Sequence, residues 1–220
     1  MKKSSNKKGL YLFISFLLLF IVFTILVKVI NVDTVGPKNS EVGFASLNKS
    51  FHDLFNYNET LYKISKILGY LSFLIIGLYG LVGLIQLIKR KSIFKVDKHI
   101  LVLGAFYVIV LFVYAFFEIV IINYRPVLEK GVLEASYPSS HTILSICVCI
   151  SSILVSKKVF KKNDFVGIFN FFTILLMFGI IVTRCLSGVH WLTDILGGII
   201  ISVSLCELFK YLLERIKNEK

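Results

Sequence analysis

The stretch EASYPSSHTILSICVC, Glu134 to Cys149, sets Pro138, Ser139, Ser140 and His141 at the mouth of a long apolar run. A histidine at the end of a membrane helix is costly, and an ionisable group held there is a site candidate by default. Pro138 fixes the entry turn, and Ser139 or Ser140 caps the helix that follows. That reading is structural, yet it also describes an anion site, because the first-turn amides and the helix dipole favour negative charge. Whether the run crosses a membrane therefore decides what the chain is.

Composition answers first. Of 220 residues, 56% are hydrophobic, Phe alone contributes 20, and the mean hydropathy is +0.82. These values lie far above a soluble domain and predict an all-α membrane protein. Runs long enough to cross about 30 Å of hydrocarbon are read at Leu10 to Ile30, Ile67 to Ile88, His99 to Ile122, Thr142 to Ser156, Phe165 to Thr183 and Ile195 to Leu213. The fourth is the shortest and reaches full length by continuing into Lys157 to Phe160 or by starting within PSSH. A bundle of six transmembrane helices, in a single domain over 1–220, is the expected fold. The basic N-terminus and the first run resemble a secretory signal, but the run is too long and no small-residue cleavage site follows, so it reads as an uncleaved anchor.

The formal charge of +12 is topological. Lys2, Lys3, Lys7 and Lys8 precede the first run; Lys89, Arg90, Lys91, Lys95 and Lys98 separate the second and third. Lys157, Lys158, Lys161 and Lys162 separate the fourth and fifth, and Arg215, Lys217 and Lys220 follow the sixth. All fall on one side of a six-span chain, so the positive-inside rule puts both termini in the cytoplasm. Nucleic acid is thereby dismissed as a partner. The outer side receives Asn31 to Lys66, Asn123 to His141 and Arg184 to Asp194, and with them Arg125, Arg184, His141, His190 and Asp194.

Each of these has a plain structural reading. Arg125 and Arg184 can snorkel to lipid phosphates, and His190 with Asp194 can be a polar pair at a helix start. The four-residue spacing nonetheless puts His190 and Asp194 on one helix face, where a carboxylate fixes the imidazole tautomer and leaves the other ring nitrogen free as a nucleophile.

RP at Arg125 and Pro126, PSSH at Pro138 to His141, and TRCLSGVHWLTD from Thr183 to Asp194 resemble the three signature segments of the membrane phosphatidic acid phosphatase type 2 and haloperoxidase superfamily. The resemblance covers about Glu118 to Leu213. It implies that His190 attacks phosphorus to form a phosphohistidine, that Asp194 orients it, and that His141 protonates the leaving oxygen. Arg125, Arg184, Ser139 and the amides of Ser140 and His141 would hold the phosphate oxygens, without metal or cofactor. Three positions depart from the family pattern: Thr183 for serine, Ser140 for the glycine of PSGH, and Glu118 where the family has lysine. Glu118 would share a helix face with Arg125 if the third helix ran that far, and could then position an arginine, tune His141 or meet a substrate headgroup; a water-facing glutamate is the plain alternative.

In VGFASLNKSFHDLF, Phe44, Leu47, Phe51, Leu54 and Phe55 recur at helical spacing and predict an interfacial helix in the first outer loop. His52 reads as a surface histidine there, and Asn48 and Asn58 head glycosylation triplets. Cys147, Cys149, Cys185 and Cys206 form no CxxC pair and no disulfide framework. The expected function is dephosphorylation of a lipid mono- or diphosphate such as phosphatidate, phosphatidylglycerol phosphate or undecaprenyl diphosphate, at the outer face of a bacterial plasma membrane. The partners are the bilayer and that lipid. A membrane phosphotransferase, an inactive lipid-binding protein that keeps the fold, and an unrelated transporter are the rivals. Polar residues gathered at one interface rather than at the midplane weigh against transport.

Overall fold

The computed structural model describes residues 7–160 and 163–218. Lys2, Lys3, Lys161, Lys162 and Lys220 of the basic clusters lie outside the described residues. Seven α-helices follow in order: α1 (Lys8–Val29), α2 (Ala45–Phe55), α3 (Glu59–Arg90), α4 (Lys98–Ile119), α5 (Ser140–Phe160), α6 (Asn163–Leu186) and α7 (Leu192–Asn218). All but α2 are long and apolar enough to cross a membrane, and no named β-strand occurs among the described residues.

The bundle is built around α5 and α7. α1 packs along α7, α5 lies between α6, α7 and α4, and α3 closes the far side against α5 and α6. Half or more of the most apolar windows of α5 and α7 is buried inside the protein, whereas α1, α3 and α6 turn most of theirs outward. Lipid-facing helices can be apolar all round, so the central ones carry the polar residues. α5 is accordingly rich in small hydroxyl residues. Ser145, Ser151 and Ser156 donate to carbonyls three residues back in their own helix, and Ser152 meets the Tyr79 hydroxyl from α3 at 3.2 Å. Small side chains let helices approach closely, which explains how the shortest of the six runs becomes a core helix.

Three boundaries differ from the sequence expectation. α3 begins at Glu59, eight residues before the expected start, because Asn58 caps it by accepting from the Leu61 amide at 3.0 Å. The polar turns Glu59 to Lys66 are therefore helix, not outer loop. α4 stops at Ile119, so Arg125 does not share a helix face with Glu118. Arg184 lies within the last turn of α6, fully buried, rather than on an outer loop.

Between α4 and α5 the chain makes a tight hairpin-like excursion. Tyr124 and Ala135 form an antiparallel bridge, the Arg125 amide donates to the Glu134 carbonyl at 3.0 Å, and the Ser136 amide to the Asn123 carbonyl at 2.9 Å. Lys130 and Gly131 turn it with positive φ of 52° and 79°, the left-handed pair of a two-residue turn. The link from α6 to α7 turns at Gly188, with φ of 66°, where a Cβ would stand 2.1 Å from the Asn56 carbonyl oxygen. That close approach stacks the α6–α7 link on the α2–α3 link.

Candidate active site

The Arg184 to Asp194, Asn123 to His141 and α2–α3 segments meet at one end of the bundle. His190 sits in the α6–α7 link and Asp194 in the first turn of α7, both buried. His190 Nδ1 lies 3.6 Å from Asp194 Oδ2. Ser136 stands between them: its hydroxyl is 3.1 Å from His190 Nδ1 and donates to Asp194 Oδ2 in a short bond. The Trp191 amide also donates to Asp194 Oδ2, at 2.9 Å. The carboxylate is thus anchored by two donors beside the imidazole, while His190 Nε2 has no hydrogen-bond partner in the protein. Burial first, then the charges of Arg184, Arg125 and His141, hold the His190 pKa well below the ordinary imidazole value. Its ring is neutral at neutral pH, with a lone pair available for attack.

Arg184 projects from α6 into the same interior. It is fully buried, and none of its three guanidinium nitrogens makes a hydrogen bond among the described residues; its charge lies 5.2 Å from the centre of the Tyr62 ring. Arg125 approaches Tyr62 from the other loop, 3.2 Å from the hydroxyl. It also pairs with Glu129 and Glu134, each at 3.0 Å. Glu129 further accepts from Lys66 Nζ at 2.6 Å and from the Tyr62 hydroxyl in a short bond. Burial opposes ionisation of Glu129, but Lys66, Tyr62 and Arg125 outweigh it and hold the carboxyl down at about 2.

Ser139 is buried at the head of α5; its amide donates to the Asp194 carbonyl at 2.9 Å, tying the starts of α5 and α7 together. Its hydroxyl does not cap the helix through an amide but accepts from the Thr142 hydroxyl at 3.0 Å. Ser140 and His141 are half-buried in the first turn, where amides have no intrahelical acceptor. His141 borders an apolar cavity of about 170 Å³ lined also by Phe73, Val110, Leu111, Tyr114 and Leu144.

Glu118 is not the carboxylate that holds Arg125; Glu129 and Glu134 are. It instead shares a small cavity with His190, Ser136, Tyr137 and Tyr114. Thr183 turns its hydroxyl onto the Gly179 carbonyl, 2.6 Å away in its own helix. Two expectations for the first outer loop change. Asn48 is no surface acceptor: it is fully buried, donates to the Gly43 carbonyl and the Thr193 hydroxyl at 2.7 and 2.9 Å, and accepts from the Thr193 amide at 3.2 Å. His52 is half-buried with its ring edge-on to Trp191 at 5.6 Å. Asn58 is exposed but serves as the cap of α3.

Sequence reasoning missed Ser136, Trp191, Tyr62, Lys66, Glu129 and Glu134. Ser136, Glu129 and Glu134 stand in the loop already singled out, but no spacing rule ties them to their partners. Tyr62 and Lys66, four residues apart and so on one helical face, belong to a stretch read as loop.

Residues 116–217 match the PAP2 superfamily. No curated protein matches the sequence. Among solved structures, the chain shares its fold with the crystal structure of the first transmembrane PAP2 type phosphatidylglycerolphosphate phosphatase from Bacillus subtilis. The TM-score is 0.61 at 19% identity, over 94% of this chain and 98% of that one. Residues 116–217 of this integral membrane protein, with its six apolar helices, are thus similar to the PAP2 superfamily.

Proposed function

We propose that the protein hydrolyses the phosphate of a membrane lipid mono- or diphosphate through a phosphohistidine. His190 Nε2 gives its lone pair to phosphorus, and the bond from phosphorus to the lipid oxygen breaks. The leaving oxygen takes a proton from His141. Water then attacks the phosphohistidine and gives a proton back to His141, releasing inorganic phosphate and restoring His190. Asp194 and Ser136 keep the reactive nitrogen facing phosphorus. Arg125, Arg184, Ser139 and the first-turn amides of Ser140 and His141 hold the nonbridging oxygens, where charge is spread in the transition state. The observation that carries this reading is a pair of buried groups aimed at the same interior: His190 with Nε2 unbonded, and Arg184 with every nitrogen unbonded.

The apolar cavity beside His141 supports a lipid as substrate, since a chain can lie there while the headgroup reaches the histidines. Glu118, across its small cavity from His190, tunes the site or meets the headgroup. Lys89 and Arg90 end α3, and Lys91 and Lys95 follow it, at the opposite end from the site, which supports a cytoplasmic basic end and an extracytoplasmic active site in a bacterial plasma membrane. Exposed Leu47, Leu54 and Phe55 on α2 support its lying in the outer interface. The whole chain then works as one phosphatase domain.

The test is phosphate release by detergent-solubilised protein, in EDTA, from phosphatidate, phosphatidylglycerol phosphate and undecaprenyl diphosphate, beside His190→Ala. Removal of the nucleophile lowers kcat by several orders of magnitude. Equal release by the two proteins, or none from any lipid, refutes the proposal and favours a lipid-binding protein that keeps the fold.

A further inference from the structure

Tyr62 is the hub of three cations. Lys66 Nζ lies 4.1 Å from its ring centre and the Arg184 guanidinium 5.2 Å, while Arg125 reaches its hydroxyl at 3.2 Å. Two of these cations come from the segments already discussed. Lys66 comes from α3, which carries none of the signature motifs. Its helical face continues through Gly69, one turn on, and a Cβ at position 69 would meet His141 Cδ2 at 3.0 Å and Nε2 at 3.3 Å. A turn further, Phe73 lines the apolar cavity with His141. Lys66 therefore stands on the His141 side of the phosphate-binding cluster, where the lipid leaves.

Charge balance gives it work to do. Arg125 alone faces two carboxylates, Glu129 and Glu134, and Glu118 adds a third at the position where the family resemblance expects a lysine. Without Lys66, Glu118, Glu129 and Glu134 would outnumber Arg125 and Arg184, an environment hostile to an anionic headgroup. An ammonium has three donors, and Glu129 takes one of them. Others remain for an oxygen of the substrate.

We propose that Lys66 is a substrate-binding cation on the leaving-group side, where it selects lipid diphosphates over lipid monophosphates. The inference rests on the phosphatase reading above. When His190 attacks the terminal phosphorus of a diphosphate, the bond to the bridging oxygen breaks and its electron pair stays on that oxygen. The departing lipid monophosphate is an anion, and Lys66 binds its phosphate while His141 protonates the bridging oxygen. A monophosphate substrate releases a neutral alcohol instead, for which a cation in that place does little.

Farnesyl diphosphate and farnesyl monophosphate, which differ only in that phosphate, separate the two cases. Lys66→Gln is expected to lower kcat/KM for the diphosphate by about tenfold to a hundredfold, the weight of a charge-assisted hydrogen bond, and for the monophosphate by less than about threefold. Lys66→Arg retains the preference. Lys66→Met keeps the aliphatic stem and replaces Lys66→Gln if the latter does not fold. Adding Glu129→Gln to Lys66→Gln leaves the diphosphate defect in place. Equal losses on both substrates, or restoration by Glu129→Gln, overturn the proposal, because Lys66 would then only neutralise Glu129. If the wild-type protein hydrolyses neither farnesyl substrate, the phosphatase reading is decided by the three lipids named above, and Lys66 is still read by heat stability. Inorganic pyrophosphate then protects the wild type more than orthophosphate does, and Lys66→Gln abolishes the difference; equal protection by both anions refutes the role of Lys66.

Discussion

Replacing Arg184 by Met should make the protein more stable and nearly inactive. The guanidinium is fully buried and none of its nitrogens is bonded within the protein. An uncompensated buried charge costs on the order of 3–5 kcal/mol. Its position 5.2 Å from the Tyr62 ring returns about 1–2 kcal/mol as a cation–π contact. A side chain of similar length without charge therefore gains roughly 1–4 kcal/mol in the ligand-free protein, worth about 2–4 °C of melting temperature per kcal/mol for a chain of this size. In the reaction the balance reverses, since loss of one preorganised donor at the developing charge costs about 10²–10³ in kcat. Two assays on the same detergent-solubilised samples decide it: thermal unfolding with and without inorganic phosphate, and phosphate release from lipid. Wild type should gain stability on adding phosphate, and Arg184→Met should not. A variant that melts below wild type while keeping a tenth or more of its activity would refute the reasoning, for Arg184 would then be a bonded structural residue.

The pH dependence follows from His190 and Glu129. A histidine whose pKa lies well below its ordinary value stays neutral as pH falls through about 6.5, so a plot of kcat/KM should show no loss of nucleophile centred there; an acid limb with that midpoint would contradict the neutral ring. Glu129, held down at about 2, contributes its stabilisation fully above the ordinary carboxylate value and loses it only as pH falls from about 4.5 toward 2. Unfolding midpoints measured from pH 7 to 3 should be flat at first, and Glu129→Gln should remove the acid-side decline it causes. Asn48→Ala strips the Gly43 carbonyl and the Thr193 amide of buried partners, each worth about 1–3 kcal/mol; a melting temperature unchanged from wild type would mean α2 is not fastened to α7 through that side chain.

How much was legible before folding depended on whether a residue's partners are near in sequence. His190 and Asp194 are four apart, close enough in the chain that the pair stays together, 3.6 Å between Nδ1 and Oδ2, although His190 stands in the link just before α7 rather than on the helix. PSSH was legible because a proline and serines before an apolar run specify a helix start whatever the remainder of the chain does. Glu118 was misjudged for the opposite reason. Its distance from Arg125 along the chain suggested a shared face only for a continuous helix, and α4 ends at Ile119, after which the chain leaves the helix axis. Asn48 illustrates another limit: a polar residue among apolar ones on an amphipathic helix reads as solvent-facing. Here the apolar Leu47 and Leu54 face outward and the amide is buried, the inversion that a lipid surface permits.

Sequence alone pointed to six apolar spans and to one end of the bundle shared by His141, His190 and Asp194. Each of these follows from run length, charge placement or short spacing along the chain. Only the tertiary structure decided what surrounds them. Ser136 reaches Asp194 across 58 residues, Lys66 reaches Glu129 across 63, and Asn48 reaches Thr193 across 145. Contacts over such separations depend on how helices pack, and no local periodicity encodes them. The physical reason is the same in each case: a buried polar group must find a partner wherever the fold brings one, and for this chain the partners come from segments that carry no signature of their own.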